Sequence, residues 1–454
     1  MSQPVSDSIS HPAFSQFSAA LAQQRAAYYA DPVPKLAQRL ADLDALKALI
    51  RDNETALVEA VNADYGSRCR FETRFSEILM VLEDIARTKK LLKKWLRPQK
   101  RHIDRLLFPT SSCKVLPQPL GVVGVIVPWN FPIMLSLAPL VSIFAAGNRA
   151  MVKMSENSAH LAALLIRLLP QYFPADKLQI FADNNGAGPA FSAQPFDHLF
   201  FTGSAQTGRA VMANAAKNLT PVTLELGGKS PAVVAADFPL AKAADRIIWA
   251  KAFNAGQICT NVDYLFLPQG SEQQFTELAL QLVAKRYPDI NHNDYTAIID
   301  ERAYQRLQQT LDDAVAKGAT AINLMPGQSP DTKLRKFPLT LLLNVTDDML
   351  VMQREIFGPL LPVKTYSAAA EVISYINSKP RPLAFYPFTN DKALQQQYLQ
   401  QVMSGGVTVN HAILHVGQHD LPFGGIGQSG MGHYHGYEGF LTFSKLRPVF
   451  YQGA

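Results

Sequence analysis

The chain has 454 residues, of which 48% are hydrophobic and 18% are charged, and its formal net charge is +6. This length predicts two or three domains, and the composition excludes a chain built from low-complexity or disordered tracts. The three cysteines, Cys69, Cys113 and Cys259, are too few and too widely spaced for a disulfide framework or a metal site. We therefore expect a cytoplasmic enzyme in a reducing compartment, without a bound metal.

Targeting and membrane signals are not found in the sequence. Residues 1–12 are polar and Ser-rich, and they lack the basic start and apolar core of a secretory signal. The longest apolar run, residues 132–147, is shorter than the ~20 residues that a membrane span needs. The basic run from Arg87 to Arg105 predicts a helix that ends at Pro98, and such runs are mostly solvated helix faces. We therefore expect neither a nucleic-acid partner nor integral membrane contact.

The first part of the chain predicts helices, followed by strands that alternate with helices. Apolar residues recur at spacings of three and four between residues 13 and 97, which predicts helices broken near Pro32 and Gly66. After an extended segment at 113–119, we predict strands at 122–127, 150–153, 178–182, 198–201 and 223–226, with helices at 133–146, 158–169 and 203–218. This order favours a doubly wound parallel sheet, whose ligand site lies at the carboxyl ends of the strands.

A second alternating block begins at Ser230. We predict its strands at residues 232–235, 264–267, 339–343, 360–366 and 405–410, and its helices at 239–254, 272–285 and 302–317. The segment 421–432 is rich in glycine and cannot form a regular helix. The chain therefore predicts an α/β protein with two sheets.

Two segments carry side chains that suit covalent catalysis. Cys259 ends the run Asn-Ala-Gly-Gln-Ile-Cys, and Glu225 lies on an apolar strand that runs into a Gly-Gly turn. A thiolate attacks electrophilic carbon, and a carboxylate among apolar neighbours has a raised pKa that suits a general base. Each residue also has a simpler interpretation, because a lone Cys is usually a buried apolar side chain and a lone Glu a surface group.

Both segments resemble the signature motifs of the aldehyde dehydrogenase superfamily. The motifs are Leu-Glu-Leu-Gly-Gly-Lys-Ser-Pro at 224–231 and Asn-Ala-Gly-Gln-x-Cys at 254–259. The resemblance covers roughly residues 14–450 and points to the class 3 branch. Ala-Ala-Gly-Asn-Arg at 145–149 and Gly-His-Tyr-His-Gly at 432–436 are similar to the bacterial coniferyl aldehyde dehydrogenases within that branch.

The resemblance implies the aldehyde dehydrogenase fold, which combines a Rossmann-like NAD-binding domain, an α/β catalytic domain and a small β element for oligomerisation. We place the NAD-binding domain at residues 1–110 and 120–228 and the catalytic domain at 229–413. The bridging element takes residues 111–119 and 414–454. It also implies a homodimer.

The resemblance also implies roles for residues at strand ends. Asn130, in Pro-Trp-Asn-Phe-Pro at 128–132, matches the amide that donates to the oxyanion together with the Cys259 N–H, although an isolated Asn there is more often a turn former. The turn at Gly203 and Ser204 lacks the second glycine of Gly-x-Gly-x-x-Gly, which is Ala205 here. The resemblance nevertheless places the pyrophosphate of a dinucleotide at this helix N-terminus.

Four further residues match cofactor contacts of the superfamily. Lys153 and Glu156 correspond to the residues at the adenosine ribose. Glu156 accepts a hydrogen bond from a 2′-hydroxyl and repels a 2′-phosphate, which favours NAD while leaving NADP possible. Glu355 corresponds to the residue that holds the nicotinamide ribose, and Phe357 packs nearby.

The implied activity is the oxidation of an aldehyde to a carboxylic acid through a thioester on Cys259, which Glu225 hydrolyses. The expected small-molecule substrate is an aromatic aldehyde of the coniferyl type, with Phe75, Phe131 and Phe443 at the mouth of the pocket, although core packing is the commoner role of such rings. Medium-chain aliphatic aldehydes are the alternative substrates. Transfer of the acyl group to coenzyme A and a non-catalytic protein on the same fold are the alternative functions.

Overall fold

The computed structural model describes residues 12–184 and 186–453, so most of the Ser-rich segment 1–12 lies outside the described residues. The chain begins with packed helices at Ala13–Ala30, Leu36–Asp52, Glu54–Tyr65, Arg70–Thr73, the π-helix Arg74–Leu79, and Met80–Trp95. Within the described ranges, none of the helices is long and apolar enough to cross a membrane.

A six-stranded sheet follows these helices. Across the sheet its strands are Gly430–Met431, Val222–Leu226, His198–Gly203, Val122–Ile126, Arg149–Lys153 and Leu178–Phe181. All pairs are parallel except the first, in which Gly430 lies opposite Glu225. The helices of this block are Pro132–Ala146, Ala159–Leu168, Gly188–Ser192 and Ala205–Ala216.

The residues of the central strand explain its place in this sheet. Every residue of Val122–Ile126 is buried, as expected for a β-branched strand covered on both faces. The next helix starts with Pro132 in its first turn and ends at Gly147, whose φ of 91° suits a glycine at a helix C-terminus. The loop between this strand and this helix carries Asn130.

A seven-stranded sheet forms the second block. Its strands, in order, are Thr320–Asn323, Thr340–Leu343, Leu360–Tyr366, Tyr264–Pro268, Pro231–Val234, Ala384–Phe388 and Gly406–Val407. Only the first pair is antiparallel. The helices are Leu240–Ala252, Glu272–Arg286, Glu301–Ala316, Leu350–Gln353, Ala369–Asn377 and Lys392–Gln401.

A small antiparallel sheet combines Gln99–Arg101, Ser112–Pro119 and Ser444–Tyr451. The last two strands pair over eight residues, from Ser444 opposite Pro119 to Tyr451 opposite Ser112. The short helix Gly436–Thr442 leads into the last strand. Segments that are far apart in the chain therefore form one sheet.

The structure confirms the predicted α/β class and most of the predicted elements. Five strands were not predicted: Gln99–Arg101, Thr320–Asn323, Ala384–Phe388, Gly430–Met431 and Ser444–Tyr451. The first is mostly exposed and the last contains Pro448, so neither has the apolar alternation that indicates a strand. The strand predicted at 405–410 is only Gly406–Val407, because the chain then turns into a loop.

Candidate active site

Cys259 follows a tight turn at the end of the helix Leu240–Ala252. The turn Phe253–Gly256 contains three consecutive residues with positive φ, at 50° for Asn254, 49° for Ala255 and 76° for Gly256. Two of them are not glycine, so the backbone is strained, and such strain persists only where the surroundings hold it. A Cβ atom on Gly256 would overlap the main chain of Gly358, which shows how closely the two loops pack.

The side chain of Gln257 holds this turn from inside. Its Nε2 donates to the carbonyl oxygens of Asn254 and Ala297, both at 3.0 Å, and its Oε1 accepts from the Ile299 N–H at 3.0 Å. All of these groups are buried. The Cys259 thiol is therefore carried on a rigid loop, and the residue itself is half-buried.

Glu225 lies near the end of the strand Val222–Leu226 and is 3% exposed. Within the described parts of the chain, neither carboxyl oxygen makes a hydrogen bond of ordinary geometry. Burial raises the pKa of Glu225 well above its usual 4.5, and the nearby Gly425 N–H opposes the shift. The carboxylate form of this group is thus a stronger base than that of an exposed glutamate.

Cys259 and Glu225 line the same cavity, which has a volume of 330 Å³. Aromatic and aliphatic side chains form most of its wall. They are Phe75, Met80, Phe131, Met134, Leu135, Leu226, Trp249, Phe253, Ile258, Leu383, Ile413, Leu414, Val416, Phe423 and Tyr434. The two reactive side chains therefore meet at an apolar pocket that suits a hydrophobic ligand.

The electrostatic surroundings disfavour a thiolate in the unliganded site. Burial, followed by the carboxylates of Glu355 and Glu225, raises the pKa of Cys259 to about 12. The backbone N–H groups of Thr260 and Cys259 oppose this shift. Burial also raises the pKa of Glu355 to about 8, with a further contribution from Asp263. Thiol and carboxyls are therefore coupled, and each loses its proton more easily while the others are neutral.

Asn130 reaches the same loop from the six-stranded sheet. It is 3% exposed, and its Nδ2 donates to the Gln257 carbonyl oxygen at 3.3 Å. The amide of Asn130 and the main chain beside Cys259 are thus in contact. An amide and a backbone N–H close to a nucleophile can form an oxyanion hole.

A second cleft, of 340 Å³, lies between Ser204, Gly227, Gly228, Glu355 and Gln428. Ser204 caps the helix Ala205–Ala216 by accepting from the Thr207 N–H, and Gly203 ends the preceding strand. In the described residues, Glu355 Oε1 is buried without a hydrogen-bond partner. A helix N-terminus and an unpaired carboxylate oxygen in one cleft suit a ligand with both phosphate and hydroxyl groups.

Comparison with known proteins identifies the family of the chain that forms this site. The family model described as "Aldehyde dehydrogenase family" matches residues 6–449. The chain belongs to the aldehyde dehydrogenase family. Its activity is the NAD(P)-dependent oxidation of an aldehyde.

Two curated relatives and one solved structure are similar over nearly the whole chain. A "Probable coniferyl aldehyde dehydrogenase" of Pseudomonas aeruginosa is 50% identical, covering 96% of this chain and 90% of the relative. The "Coniferyl aldehyde dehydrogenase" of Pseudomonas sp. strain HR199 is 45% identical, with 96% and 91% covered. A substrate-bound AldH from Staphylococcus aureus superposes with a TM-score of 0.90 at 32% identity, with 96% and 94% covered.

Three further residues were matched to cofactor contacts of the aldehyde dehydrogenase family, and the structure shows how far each is buried and what it contacts. Lys153 is buried and forms an ion pair with Asp183, which the sequence analysis did not single out. Glu156 is exposed and accepts a hydrogen bond from Ser155 at 3.1 Å. Phe357 is half-buried and packs edge-on against Trp129, with ring centroids 5.4 Å apart.

The structure corrects one of the three predicted aromatic residues at the pocket mouth. Phe75 and Phe131 line the cavity. Phe443 is fully buried and packs on His198 and Phe200, so its predicted position at the mouth was wrong. It follows the helix Gly436–Thr442, whose packing on the core a sequence pattern does not show.

Sequence reasoning missed the buried polar groups behind the reacting loops. Tyr65, Arg68 and Glu72 are all at most 5% exposed and contact the segments that carry Asn130 and Cys259. Isolated Arg and Glu residues in a sequence usually indicate exposed side chains. The sequence around these three residues gave no signal that they are buried.

Proposed function

We propose that the enzyme oxidises an aromatic aldehyde of the coniferyl type, with Cys259 as nucleophile and Glu225 as general base. The observation that carries this proposal is that both side chains line one apolar cavity, whose wall is rich in aromatic rings. The two relatives described above are named for coniferyl aldehyde, and they share half or nearly half of this sequence. Medium-chain aliphatic aldehydes are the second substrate class, because Met80, Met134 and Leu135 also line the cavity.

In the first half of the reaction, the Cys259 thiol loses its proton to solvent, its sulphur attacks the carbonyl carbon as a thiolate, and the carbonyl oxygen becomes negatively charged. Asn130 Nδ2 and the Cys259 N–H donate to this oxygen and stabilise it more strongly than the neutral carbonyl. When bound, NAD(P)⁺ supplies the acceptor for the hydride that leaves the same carbon. Loss of the hydride gives a thioester on Cys259.

In the second half, water hydrolyses the thioester. Glu225 takes a proton from the water, and the raised pKa of its carboxyl makes its carboxylate a stronger base than an exposed glutamate. The products are the carboxylic acid and the free thiol. The presence of a base that activates water argues against transfer of the acyl group to coenzyme A.

We also propose the residues that hold the cofactor. Glu355 Oε1, which has no hydrogen-bond partner among the described residues, and the N-terminus of the helix Ala205–Ala216 fit a dinucleotide, since ribose hydroxyls donate and phosphates accept. Gly203 and Ser204 would face the pyrophosphate, and Glu355 with Phe357 the nicotinamide ribose.

Lys153 and Glu156 would face the adenosine ribose. The exposed carboxylate of Glu156 favours NAD over NADP, since it would lie near a 2′-phosphate. A Glu156→Gln variant should therefore shift the ratio of kcat/KM values toward NADP, and an unchanged ratio would refute this role.

The proposed chemistry is tested by replacing the nucleophile. Cys259→Ala should abolish NADH formation from coniferyl aldehyde, measured by absorbance, whereas Cys113→Ala should retain it, because Cys113 lies in the small three-stranded sheet. Full activity of Cys259→Ala would refute the mechanism. Formation of an acyl-CoA instead of the acid would favour the alternative acyl transfer.

The proposed substrate class is tested by kinetics on matched aldehydes. The value of kcat/KM should be at least about tenfold higher for coniferyl aldehyde than for hexanal, since stacking on aromatic walls contributes about 0.5–1.5 kcal/mol per ring pair. A preference for hexanal would assign the enzyme to aliphatic aldehydes.

The assembly that we propose is a homodimer formed through the bridging element at residues 111–119 and 414–454. The small sheet and the loop between its first two strands expose large apolar side chains, including Leu106 at 94%, Leu107 at 71% and Phe450 at 47%. Exposed apolar groups of this size mark interaction surfaces. Light scattering should give twice the mass of the chain, and a monomer would refute the proposal. The cytoplasmic location and the division into domains are proposed on the sequence reasoning above.

A further inference from the structure

Behind the reacting groups, one main-chain oxygen accepts three hydrogen bonds. The Asn130 carbonyl accepts from Arg68 Nη1 at 2.6 Å, from the Tyr65 hydroxyl at 3.1 Å and from Asn254 Nδ2 at 3.2 Å. A carbonyl oxygen has two lone pairs, so three donors are more than it needs. The surplus indicates that the surroundings fix the position of this peptide.

Arg68 is the charged member of this group and is completely buried. Its Nη2 lies 3.2 Å from Glu77 Oε1, and its guanidinium lies 4.7 Å from the Tyr65 ring and 5.0 Å from the Phe131 ring. Glu77 Oε2 in turn accepts from the Ile133 N–H at 2.7 Å. Burying an ion pair costs free energy that its own attraction often does not recover. A role beyond stability is therefore expected for Arg68.

The same group of side chains connects the Asn130 loop to the Cys259 loop. Asn254 Nδ2 donates both to the Asn130 carbonyl and, at 3.0 Å, to the Gln257 carbonyl. Asn130 Nδ2 also donates to the Gln257 carbonyl. Glu72 Oε2 accepts from the Asn254 N–H at 3.1 Å and from Thr296 Oγ1 at 2.8 Å. These bonds hold Asn254 in its left-handed conformation and fix the position of the Asn130 loop relative to the Cys259 loop.

We propose that Arg68 is a positioning residue for the reaction: by holding the Asn130 carbonyl, it sets the direction of the Asn130 amide relative to Cys259. This inference rests on the oxyanion role proposed for Asn130. The Asn130 side chain starts from the same residue whose carbonyl is held, so a shift of this peptide moves the amide with it. A misplacement of about 1 Å in a catalytic group can lower the rate roughly 100-fold.

The test compares three single variants. Arg68→Met should lower kcat roughly 100-fold and change KM for the aldehyde by less than about threefold, because the lost interaction acts in the transition state. Tyr65→Phe removes one neutral donor and should lower kcat by roughly three- to tenfold. Arg39→Met is the matched control: Arg39 is also buried and donates to a main-chain oxygen, but this oxygen, that of Ala145 at 2.9 Å, lies at the far end of the helix Pro132–Ala146 and not in the Asn130 or Cys259 loop. Arg39→Met should reduce the melting temperature and leave kcat per folded subunit unchanged.

A double-mutant cycle separates positioning from general stabilisation. In an Asn130→Ala background the amide is already gone, so Arg68→Met and Tyr65→Phe should cause little further loss of kcat. The inference would be refuted if these changes lowered kcat by the same factor in the Asn130→Ala background as in the wild type. It would also be refuted if Arg68→Met and Arg39→Met had the same kcat. If Arg68→Met does not fold, Tyr65→Phe is compared in the same two backgrounds. A full further loss of kcat from Tyr65→Phe in the Asn130→Ala background would then refute the inference.

The two proposals fail in distinguishable ways. Wild-type kcat in Asn130→Ala would refute the oxyanion role and this inference with it. A low kcat in Asn130→Ala, combined with multiplying losses in the double variants, would refute the positioning role alone and leave the oxyanion role standing.

Discussion

Glu225→Gln should separate the two halves of the reaction. The amide keeps the volume of the carboxyl in the cavity wall but cannot take a proton from water. Loss of a general base costs typically 10²–10⁴ in rate, and here that loss falls on thioester hydrolysis. We therefore expect one NADH per subunit in a rapid burst, followed by turnover at least about 100-fold slower than that of the wild type.

The same change should alter stability in a direction that depends on pH. Burial raises the pKa of the folded carboxyl well above its ordinary 4.5, so the unfolded chain ionises this group at a lower pH than the native state does. Between these two pKa values the native state carries a penalty that increases by about 1.4 kcal/mol for each pH unit. It grows as pH rises above about 4.5 and levels off above the raised pKa. Glu225→Gln removes this penalty but adds the cost of a buried amide, about 1–3 kcal/mol, so the variant should gain stability relative to the wild type as pH rises.

Stopped-flow absorbance of NADH measures the burst, and urea unfolding at about pH 5 and about pH 8 measures stability. The difference between Glu225→Gln and wild type should be more favourable to the variant at the higher pH. Glu277→Gln, at an exposed position on the helix Glu272–Arg286, serves as the control for both assays. Steady turnover of Glu225→Gln at the wild-type rate would refute the base assignment, and a stability difference independent of pH would refute the buried neutral carboxyl.

Three further predictions concern the same site. The value of kcat/KM should still be rising at about pH 9, because the reactive forms are deprotonated and burial raises the pKa of Cys259 from 9.0 to about 12 and that of Glu225 well above 4.5; a profile that is flat below about pH 9 would contradict this. Glu355→Gln should speed alkylation of Cys259 by iodoacetamide above about pH 8, where the Glu355 carboxylate otherwise opposes the thiolate, and an unchanged rate would exclude that coupling. Gly256→Ala should lower the melting temperature and abolish activity, because φ is 76° and the added Cβ overlaps Gly358; wild-type values of both would show that the turn is not fixed.

Much of the fold could be predicted because buried parallel strands have a simple pattern. The run Val122–Ile126 is apolar and β-branched throughout, and Pro132 and Gly147 mark the helix that follows. Four of the strands that escaped prediction lie at sheet edges, where burial imposes little pattern, and the fifth, Ala384–Phe388, is fully buried but contains Pro387. Their pairing is decided by partners that are distant in sequence, as in Ser444–Tyr451 with Ser112–Pro119.

The candidate site also has residues that the sequence predicted and surroundings that it did not. Cys259, Glu225 and Asn130 follow or end elements beside turns rich in glycine or proline, and local sequence restricts what such positions can do. The surroundings that change their chemistry are not local. Asp183 beside Lys153 and Arg68 beside the Asn130 carbonyl come from other parts of the chain. Phe443 was misplaced because its ring turns toward His198 and Phe200 and away from the pocket.

The sequence by itself determined which thiol, carboxyl and amide serve as candidates, because each lies in a short motif whose neighbouring residues restrict the local backbone conformation. Only the tertiary structure decided that thiol and carboxyl share one largely apolar cavity, and that a buried guanidinium donates to the main-chain carbonyl of Asn130. The physical reason is that pKa, strain and alignment depend on what surrounds a group in space. Those surroundings come from sheets and helices that the chain brings together only on folding.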